Sequence, residues 1–328
     1  MAATVKLSVL DQSPVISGQG ARRAIEETLA LARRAEELGY HRYWLAEHHA
    51  IAALADPCPE VLLARLGAET RRMRIGTGGV LLPYYSAFRT AETFRMLEAL
   101  YPGRIDLGIG RAPGGDARTA QAVGGGKFPD PSNFPRQVWE LTALLDGTLP
   151  GKHPRLQPEV DTVPEVWLLG SSDYSGALAA ELGLPFAFAH FINPRGGELV
   201  ARAYRESFNA RGEAARVIVC AFAIVAETDA EAERLAAPID LRRLHMALNI
   251  DSPVPTYDEA ARQRYSDDER RYVLSQRARA VIGGVNKAKA QLLEMVDRYT
   301  ADELMILTIT GDYDSRRRSY ELLIEAFE

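Results

Sequence analysis

The sequence predicts an α/β protein folded as a single (β/α)8 barrel of the TIM type, with an insertion after the seventh strand. Short apolar runs of strand length alternate eight times with segments of helical periodicity. Strands that are separated by helices pair in parallel, and no linker of domain length divides residues 1–328. An open, doubly wound sheet of eight strands is the alternative that this pattern leaves.

The first half of the chain supplies four strand–helix units. Each helix is predicted from apolar residues three or four positions apart, such as Ile25, Leu29 and Ala32 in the first one. Gly39 stands where a helix C-cap belongs, and Pro59 fits the first turn of the second helix. The predicted segments are strand 5–10, helix 21–38, strand 43–46, helix 59–70, strand 74–82, helix 88–99, strand 104–109 and helix 136–146.

Two long connections interrupt this alternation. Residues 111–135 are rich in glycine and proline, which predicts a loop, and the charged stretch 229–272 predicts helix, insertion and helix. Residues 111–135 and 241–284 are therefore candidate lids over the active face of a single domain. The remaining predicted segments are strand 166–169, helix 174–182, strand 185–191, helix 197–210, strand 217–225, helix 287–299, strand 303–310 and helix 315–327.

The composition argues against several classes of protein. Hydrophobic residues make up 47% of the chain, which is too apolar for a disordered protein. No run of about 18–20 apolar residues suggests a membrane span. The formal net charge is −5, whereas nucleic-acid-binding domains usually carry an excess of basic residues, which argues against that class. With two cysteines and no signal-peptide pattern, we expect a cytoplasmic protein without a disulfide framework.

Polar and small residues lie within or at the carboxyl ends of five of the predicted strands. In a (β/α)8 barrel these carboxyl ends meet on one face, where active sites lie. The segment 108–114 contains three glycines, but Pro113 makes a dinucleotide-binding fingerprint a poor interpretation. The sequence therefore predicts one binding pocket built from several strand ends. The segments are Asp11-Gln12-Ser13-Pro14, Ala46-Glu47-His48-His49, Gly76-Thr77-Gly78-Gly79, Gly108-Ile109-Gly110-Arg111 and Gly170-Ser171-Ser172.

Two adjacent histidines, His48 and His49, follow the second predicted strand. Side chains alternate in a strand, so at most one of the two rings should point into the pocket. A metal site would need a third ligand at a suitable spacing, and the sequence offers none. General acid–base chemistry and a capping role at the strand end both stay open for this pair.

Gly170-Ser171-Ser172 stands between a predicted strand and a helix, with Ser175 one turn later. Small residues permit close approach of an anion, hydroxyl groups donate hydrogen bonds, and a helix N-terminus is partly positive. The segment suits a phosphate, although serine here also serves as an ordinary N-cap. Arg111 and Arg136 flank the long loop and either supply cations to a phosphate or are surface arginines.

Five segments, in their order and spacing, resemble the bacterial luciferase-like flavin-dependent monooxygenases, and the resemblance covers nearly the whole chain. The segments are residues 43–49 (YWLAEHH), 74–83 (RIGTGGVLLP), 103–111 (GRIDLGIGR), 168–172 (LLGSS) and 301–305 (ADELM). The resemblance implies a barrel that binds FMN at the carboxyl ends of its strands. Reduced FMN and O2 would form a C4a-hydroperoxyflavin that oxygenates a small organic substrate. The implied enzyme is an oxidoreductase that acts on paired donors with incorporation of O2.

The same resemblance implies roles for individual residues. His48 matches the active-site histidine beside the reactive edge of the isoalloxazine, and no metal is implied. Gly78–Gly79 falls where the family often has a cis peptide bond against the flavin. The phosphate of FMN is implied to contact Arg111, Arg136, Ser171, Ser172 and Ser175. The other implied cofactor-binding residues are Ala46, Gly78, Gly79 and Gly170.

The resemblance also implies partners. A separate NAD(P)H:flavin reductase would supply reduced FMN, and two chains would form a homodimer through helices 59–70 and 88–99. No nucleic acid or membrane partner is expected. An F420 (deazaflavin)-dependent oxidoreductase of the same fold and a non-catalytic flavin-binding relative are the alternatives. Six side chains are candidates for lining a substrate pocket: Tyr84, Tyr85, Phe128, Phe134, His190 and Phe191.

Overall fold

The structure, a computed structural model, describes residues 5–111, 115–210 and 213–328. The strands in this part of the chain are β1 (Lys6–Asp11), β2 (Arg42–Leu45), β3 (Arg74–Leu81), β4 (Ile105–Gly110), β5 (Glu165–Gly170), β6 (Phe186–Ala189), β7 (Val217–Ala226), β8 (Ala280–Gly284) and β9 (Glu303–Leu307). The α-helices are α1 (Gly20–Glu37), α2 (Pro59–Glu69), α3 (Ala87–Leu100), α4 (Ala117–Val123), α5 (Phe134–Leu145), α6 (Asp173–Leu182), α7 (Gly197–Ser207), α8 (Asp229–Ala247), α9 (Tyr257–Arg262), α10 (Asp267–Gln276), α11 (Val285–Tyr299) and α12 (Tyr313–Phe327).

Eight of the strands form a closed parallel barrel. Strands β1 to β7 pair in sequence order, β7 pairs with β9, and β9 pairs back with β1. Both edges of the sheet are therefore joined, which confirms the predicted barrel and makes the open doubly wound alternative wrong. The strands are almost fully buried, as expected where helices cover the outside of a parallel barrel.

One strand of the sheet lies outside this ring and was not predicted. Strand β8 pairs in parallel with residues 222–226, the carboxyl-terminal half of β7, whereas residues 218–222 pair with β9. Strand β8 is hard to predict from local pattern, because it is five residues long and ends in two glycines. β7 is ten residues long, and this length allows it to pair with β8 as well.

The two predicted lid segments contain more regular structure than a loop. Residues 112–114 lie outside the described residues, but α4 follows them, with the Asp116 side chain accepting a hydrogen bond from the Thr119 amide. Residues 241–284 hold the end of α8, helices α9 and α10, and β8. Helices α9 and α10 each begin with a capping box, from Thr256 and from Ser266. The expectation of loops there was wrong, while helix, insertion and helix over 229–272 is confirmed.

Buried ion pairs close the amino-terminal end of the barrel. The Arg42 guanidinium, 3% exposed, contacts the carboxylates of Asp106 and Glu303, each at 2.8 Å, and that of Glu165 at 3.3 Å. Burial alone would lower the pKa of Arg42, but Asp106 and Glu303 raise it above its ordinary value. The indole of Trp44 also donates to Asp106 at 2.9 Å. This network fills the amino-terminal end of the barrel and leaves the opposite end for a ligand.

The described residues include neither a helix that could span a membrane nor a group of metal ligands. No helix in ranges 5–111, 115–210 and 213–328 is both long and apolar enough to cross a membrane. Within the same ranges, no three His, Cys, Asp or Glu residues are grouped so that they could hold a metal ion. Of the two cysteines, Cys220 is buried in β7 and Cys58 is exposed.

Candidate active site

A cavity of about 380 Å³ lies at the carboxyl ends of the barrel strands, and we call it the inner cavity. Residues within or directly after the carboxyl-terminal parts of β1 to β5 border it, which brings together the five strand-end segments expected from the sequence. Its volume lies within the range of pockets for small molecules. The strand-end residues that line it are Gln12, Ala46, Glu47, His48, Gly78, Gly79, Gly110, Arg111, Gly170, Ser171 and Ser172.

Nine of the ten predicted site residues line the inner cavity: Ala46, His48, Gly78, Gly79, Arg111, Gly170, Ser171, Ser172 and Ser175. The tenth, Arg136, is exposed on α5 and does not border this cavity. Phe134, Val138 and Leu141 are buried and face the core, and the helical period places Arg136 on the other side. The structure therefore does not bring Arg136 together with the other nine residues.

Glu47 separates the roles of the two adjacent histidines. Its carboxylate accepts hydrogen bonds from the Leu81 amide at 2.8 Å and the Tyr85 hydroxyl at 2.6 Å, and it contacts His49 Nε2 at 2.7 Å. His49 is thus held by Glu47 behind the strand end, whereas His48 borders the cavity. The expectation that at most one of the two rings points into the pocket is confirmed.

The ring of His48 offers an unused polar atom to the site. Its Nδ1 is buried and has no hydrogen-bond partner among the described residues, while its backbone amide donates to the carbonyl of Asp56 at 3.2 Å. Burial lowers the pKa of His48 to about 4, so the ring is neutral at pH 7. A neutral imidazole has one nitrogen that accepts and one that donates, which suits proton exchange with a bound group.

Hydroxyl groups and one arginine lie together at the start of α6, and we call this candidate site the anion-binding region. Ser172 is the N-cap residue of this ten-residue helix, and its hydroxyl lies 3.5 Å from that of Ser175. The Ser172 side chain makes no capping hydrogen bond, although the Tyr174 amide donates to the Asp173 carboxylate at 2.8 Å. Only part of the first turn therefore remains to donate to a ligand. The Arg111 guanidinium stacks 4.3 Å from the ring centre of Tyr174 and borders the same cavity.

Gly78 and Gly79, near the carboxyl end of β3, form one wall of the inner cavity, which we call the glycine wall. A Cβ atom on Gly79 would lie 2.6 Å from the carbonyl oxygen of Gly108, and one on Gly78 would lie 2.6 Å from Leu10 Cδ1. The peptide bond between Gly78 and Gly79 is cis, as the resemblance implies. A wall of bare backbone accepts a flat ring at close distance, which larger side chains would prevent.

A second cavity of about 350 Å³ adjoins the inner one, and we call it the outer cavity. Gln12, His48 and Phe191 border both. The remaining walls come largely from β7, from the segment after β9, and from α8 and α10 of the insertion. The sequence analysis did not single out these residues, because Arg242 and Arg243 stand in the charged stretch 229–272 and such stretches are typical of a solvated surface. The other outer lining residues are Ile51, Leu54, Phe222, Ile239, Met246, Tyr272, Gln276, Leu307 and Ile309.

Of the six aromatic and imidazole candidates for a substrate pocket, Phe191 is the one that borders these two cavities. Tyr85 donates to Glu47 behind the site. The Nδ1 of His190 is 2.8 Å from the Tyr299 hydroxyl, which leaves that ring engaged in the core. The sequence could not distinguish these cases, because an aromatic residue near a strand end packs in the core as readily as it lines a pocket.

Comparison with known proteins identifies the family. The model of the luciferase-like monooxygenase family matches residues 5–301 of this chain. The chain belongs to the luciferase-like monooxygenases. A luciferase-like monooxygenase of Escherichia coli strain K12 is 38% identical over 327 residues, covering 99% of this chain and 98% of that protein.

Two further matches extend over equally long stretches. The N-acetyl-S-alkylcysteine monooxygenase of Bacillus subtilis strain 168 is 34% identical over 329 residues, covering 98% of each protein. The solved structure of apo-MsnO8 superposes with a TM-score of 0.91 at 39% identity, covering 98% of each chain. This luciferase-like monooxygenase thus has the same fold as apo-MsnO8. Its anion-binding region, its glycine wall and His48 border one cavity.

Proposed function

We propose that this luciferase-like monooxygenase uses reduced FMN and O2 to oxygenate a small organic substrate. The position of His48 carries the proposal, because this side chain borders both the inner and the outer cavity. The residues of the anion-binding region and of the glycine wall border the inner cavity, and this combination suits a flavin that carries a phosphate. The outer cavity then remains for the substrate.

The residues of the inner cavity fit FMN. The hydroxyls of Ser171, Ser172 and Ser175, the amides at the start of α6 and the Arg111 guanidinium would hold its phosphate dianion. The backbone at Gly78 and Gly79 would support the ring system. Reduced FMN, when bound, supplies the electrons with which one atom of O2 becomes water while the other enters the substrate.

Two properties of the chain would assist this reaction. His48 is neutral at pH 7, and its buried Nδ1 would hold or accept a proton between cofactor and substrate. The apolar residues around both cavities would exclude water, which protects a reactive oxygen species from wasteful breakdown. We propose that residues 111–135 and 241–284 cover the site as lids, since α8 and α10 already line the outer cavity.

We further propose two partners. A separate NAD(P)H:flavin reductase would supply reduced FMN, because Pro113 makes a dinucleotide-binding fingerprint at 108–114 unconvincing. A second copy of the chain would cover α2 and α3, where Val61, Met96 and Leu100 are exposed along a groove of about 790 Å³. Sedimentation of the wild type and of Met96→Glu tests the dimer, which this charge should dissociate.

The cofactor is tested by anaerobic fluorescence titration of the purified protein with reduced FMN, oxidised FMN and F420 in separate experiments. The proposal predicts saturable binding of reduced FMN and at least about tenfold weaker binding of F420. Tight binding of F420 with negligible binding of FMN would overturn it in favour of an F420-dependent oxidoreductase.

The reaction is tested by supplying reduced FMN from a flavin reductase in isotopically labelled O2, with a mixture of small organic compounds. With the wild type, labelled oxygen should appear in an organic product. With His48→Gln, the amount of this labelled product should be much smaller. Flavin binding without any labelled product across a broad set of compounds would favour a non-catalytic flavin-binding relative.

A further inference from the structure

Three arginines border the outer cavity without an acidic partner. Arg242 and Arg243 lie on α8, and Arg279 lies just before β8. None of the three forms an ion pair within the described ranges, although the charge of Asp251 acts on Arg242 and that of Asp240 on Arg243 from a longer distance. None of the described residues that line this cavity is acidic. Neighbouring Arg277 shows the contrast, because it pairs with Asp240 at 2.5 Å and with Glu233.

The contacts of these arginines leave donor capacity unused. Arg242 is 9% exposed and donates to the Ser252 carbonyl at 3.3 Å, and Arg243 donates to the Gln276 carbonyl at 3.4 Å. A guanidinium has five N–H donors, so one carbonyl does not satisfy it. The carboxylate of Asp251, near Arg242, accepts a hydrogen bond from the Ala52 amide instead.

Burying positive charge in this way has a cost. Burial lowers the pKa of Arg242 and that of Arg243, which shows that their surroundings disfavour the charged form. A bound anion would offset this cost by pairing with the guanidinium groups. Most of the other lining residues are apolar, with Phe222, Ile239 and Leu307 among them, so the cavity would receive an uncharged hydrocarbon portion. Its other polar lining residues are Gln12, His48, Tyr272 and Gln276.

We propose that the outer cavity binds an organic carboxylate, whose carboxyl group contacts Arg242, Arg243 and Arg279 and whose apolar portion extends toward His48. The proposal rests on the proposed function, since it names the substrate class of the same site. Because Gln12, His48 and Phe191 border both cavities, a molecule held this way by one end would present its other end to the bound flavin.

Calorimetric titration with octanoate and with octanamide, its neutral analogue, tests this assignment. The two probes share one hydrocarbon chain and differ in charge. In a low-salt buffer, with FMN and without it, the wild type should bind octanoate about tenfold or more tightly than octanamide. Arg242→Gln should reduce the affinity for octanoate about tenfold or more and leave that for octanamide unchanged, whereas Arg242→Lys should retain part of the preference.

Arg262→Gln is the matched control, because it removes one positive charge from an exposed position on α9 of the same insertion. It should leave the preference for octanoate intact. Equal affinities for the two probes, no binding of either, or an unchanged preference in Arg242→Gln, Arg243→Gln and Arg279→Gln alike would overturn the proposal. The affinity for FMN, measured in the same samples, reports separately on the proposed function.

Discussion

Replacement of His48 by glutamine should remove a specific pH dependence of folding stability. Burial lowers the pKa of this histidine from 6.5 to about 4. Between those values the unfolded chain binds a proton that the folded protein does not, so the folded protein loses stability as the pH falls. This pKa difference corresponds to about 3 kcal/mol of unfolding free energy, which is present above pH 6.5 and lost by pH 4.

Urea denaturation of the wild type and of His48→Gln at about pH 7.5 and about pH 4 measures this contribution. Between the two pH values the wild type should lose about 3 kcal/mol more than the variant, since glutamine does not titrate. His153→Gln, at an exposed position, controls for the loss of a histidine as such. Equal losses in the wild type and His48→Gln, or an NMR titration of His48 near pH 6.5, would refute the reasoning.

Two substitutions probe the walls of the inner cavity. Gly79→Ala should lower the free energy of unfolding in urea by about 1–3 kcal/mol, because its Cβ would lie 2.6 Å from the Gly108 carbonyl oxygen. Gly110→Ala, with no atom within 4 Å of the added Cβ, should not. Ser175→Ala should weaken FMN binding about tenfold in a fluorescence titration, through loss of a donor to a charged phosphate, and Arg136→Gln should leave it unchanged. Equal losses of unfolding free energy in the two glycine variants, or equal FMN affinities in Ser175→Ala and Arg136→Gln, would contradict the geometry of the site.

Much of the fold and most of the candidate site could be predicted because both depend on local pattern. The spacing of apolar residues along the chain predicts the strand–helix alternation. A parallel barrel places the carboxyl ends of all its strands on one face. The residues after β1 to β5 are therefore close in space, although they lie far apart in sequence. The resemblance to the luciferase-like monooxygenases then separated His48 from His49, which periodicity alone left equivalent.

The features that were missed depend on long-range packing. Strand β8 is five residues long and is stabilised by pairing with the end of β7. Arg136 looked like a cation for a phosphate, but the buried face of α5 turns it to the outside. Arg242 was not singled out, because the pattern of its charged stretch does not show that α8 packs over a cavity. In each case the position of a neighbouring element decides the outcome.

A crystal structure of the protein soaked with FMN tests the central claim most directly. The account predicts that the phosphate lies within hydrogen-bond distance of the Ser171, Ser172 and Ser175 hydroxyls, with the Arg111 guanidinium beside it and the ring against Gly79 and His48. A phosphate bound away from the start of α6 would contradict it. So would an inner cavity that remains empty in crystals soaked with saturating FMN but holds F420 in crystals soaked with F420.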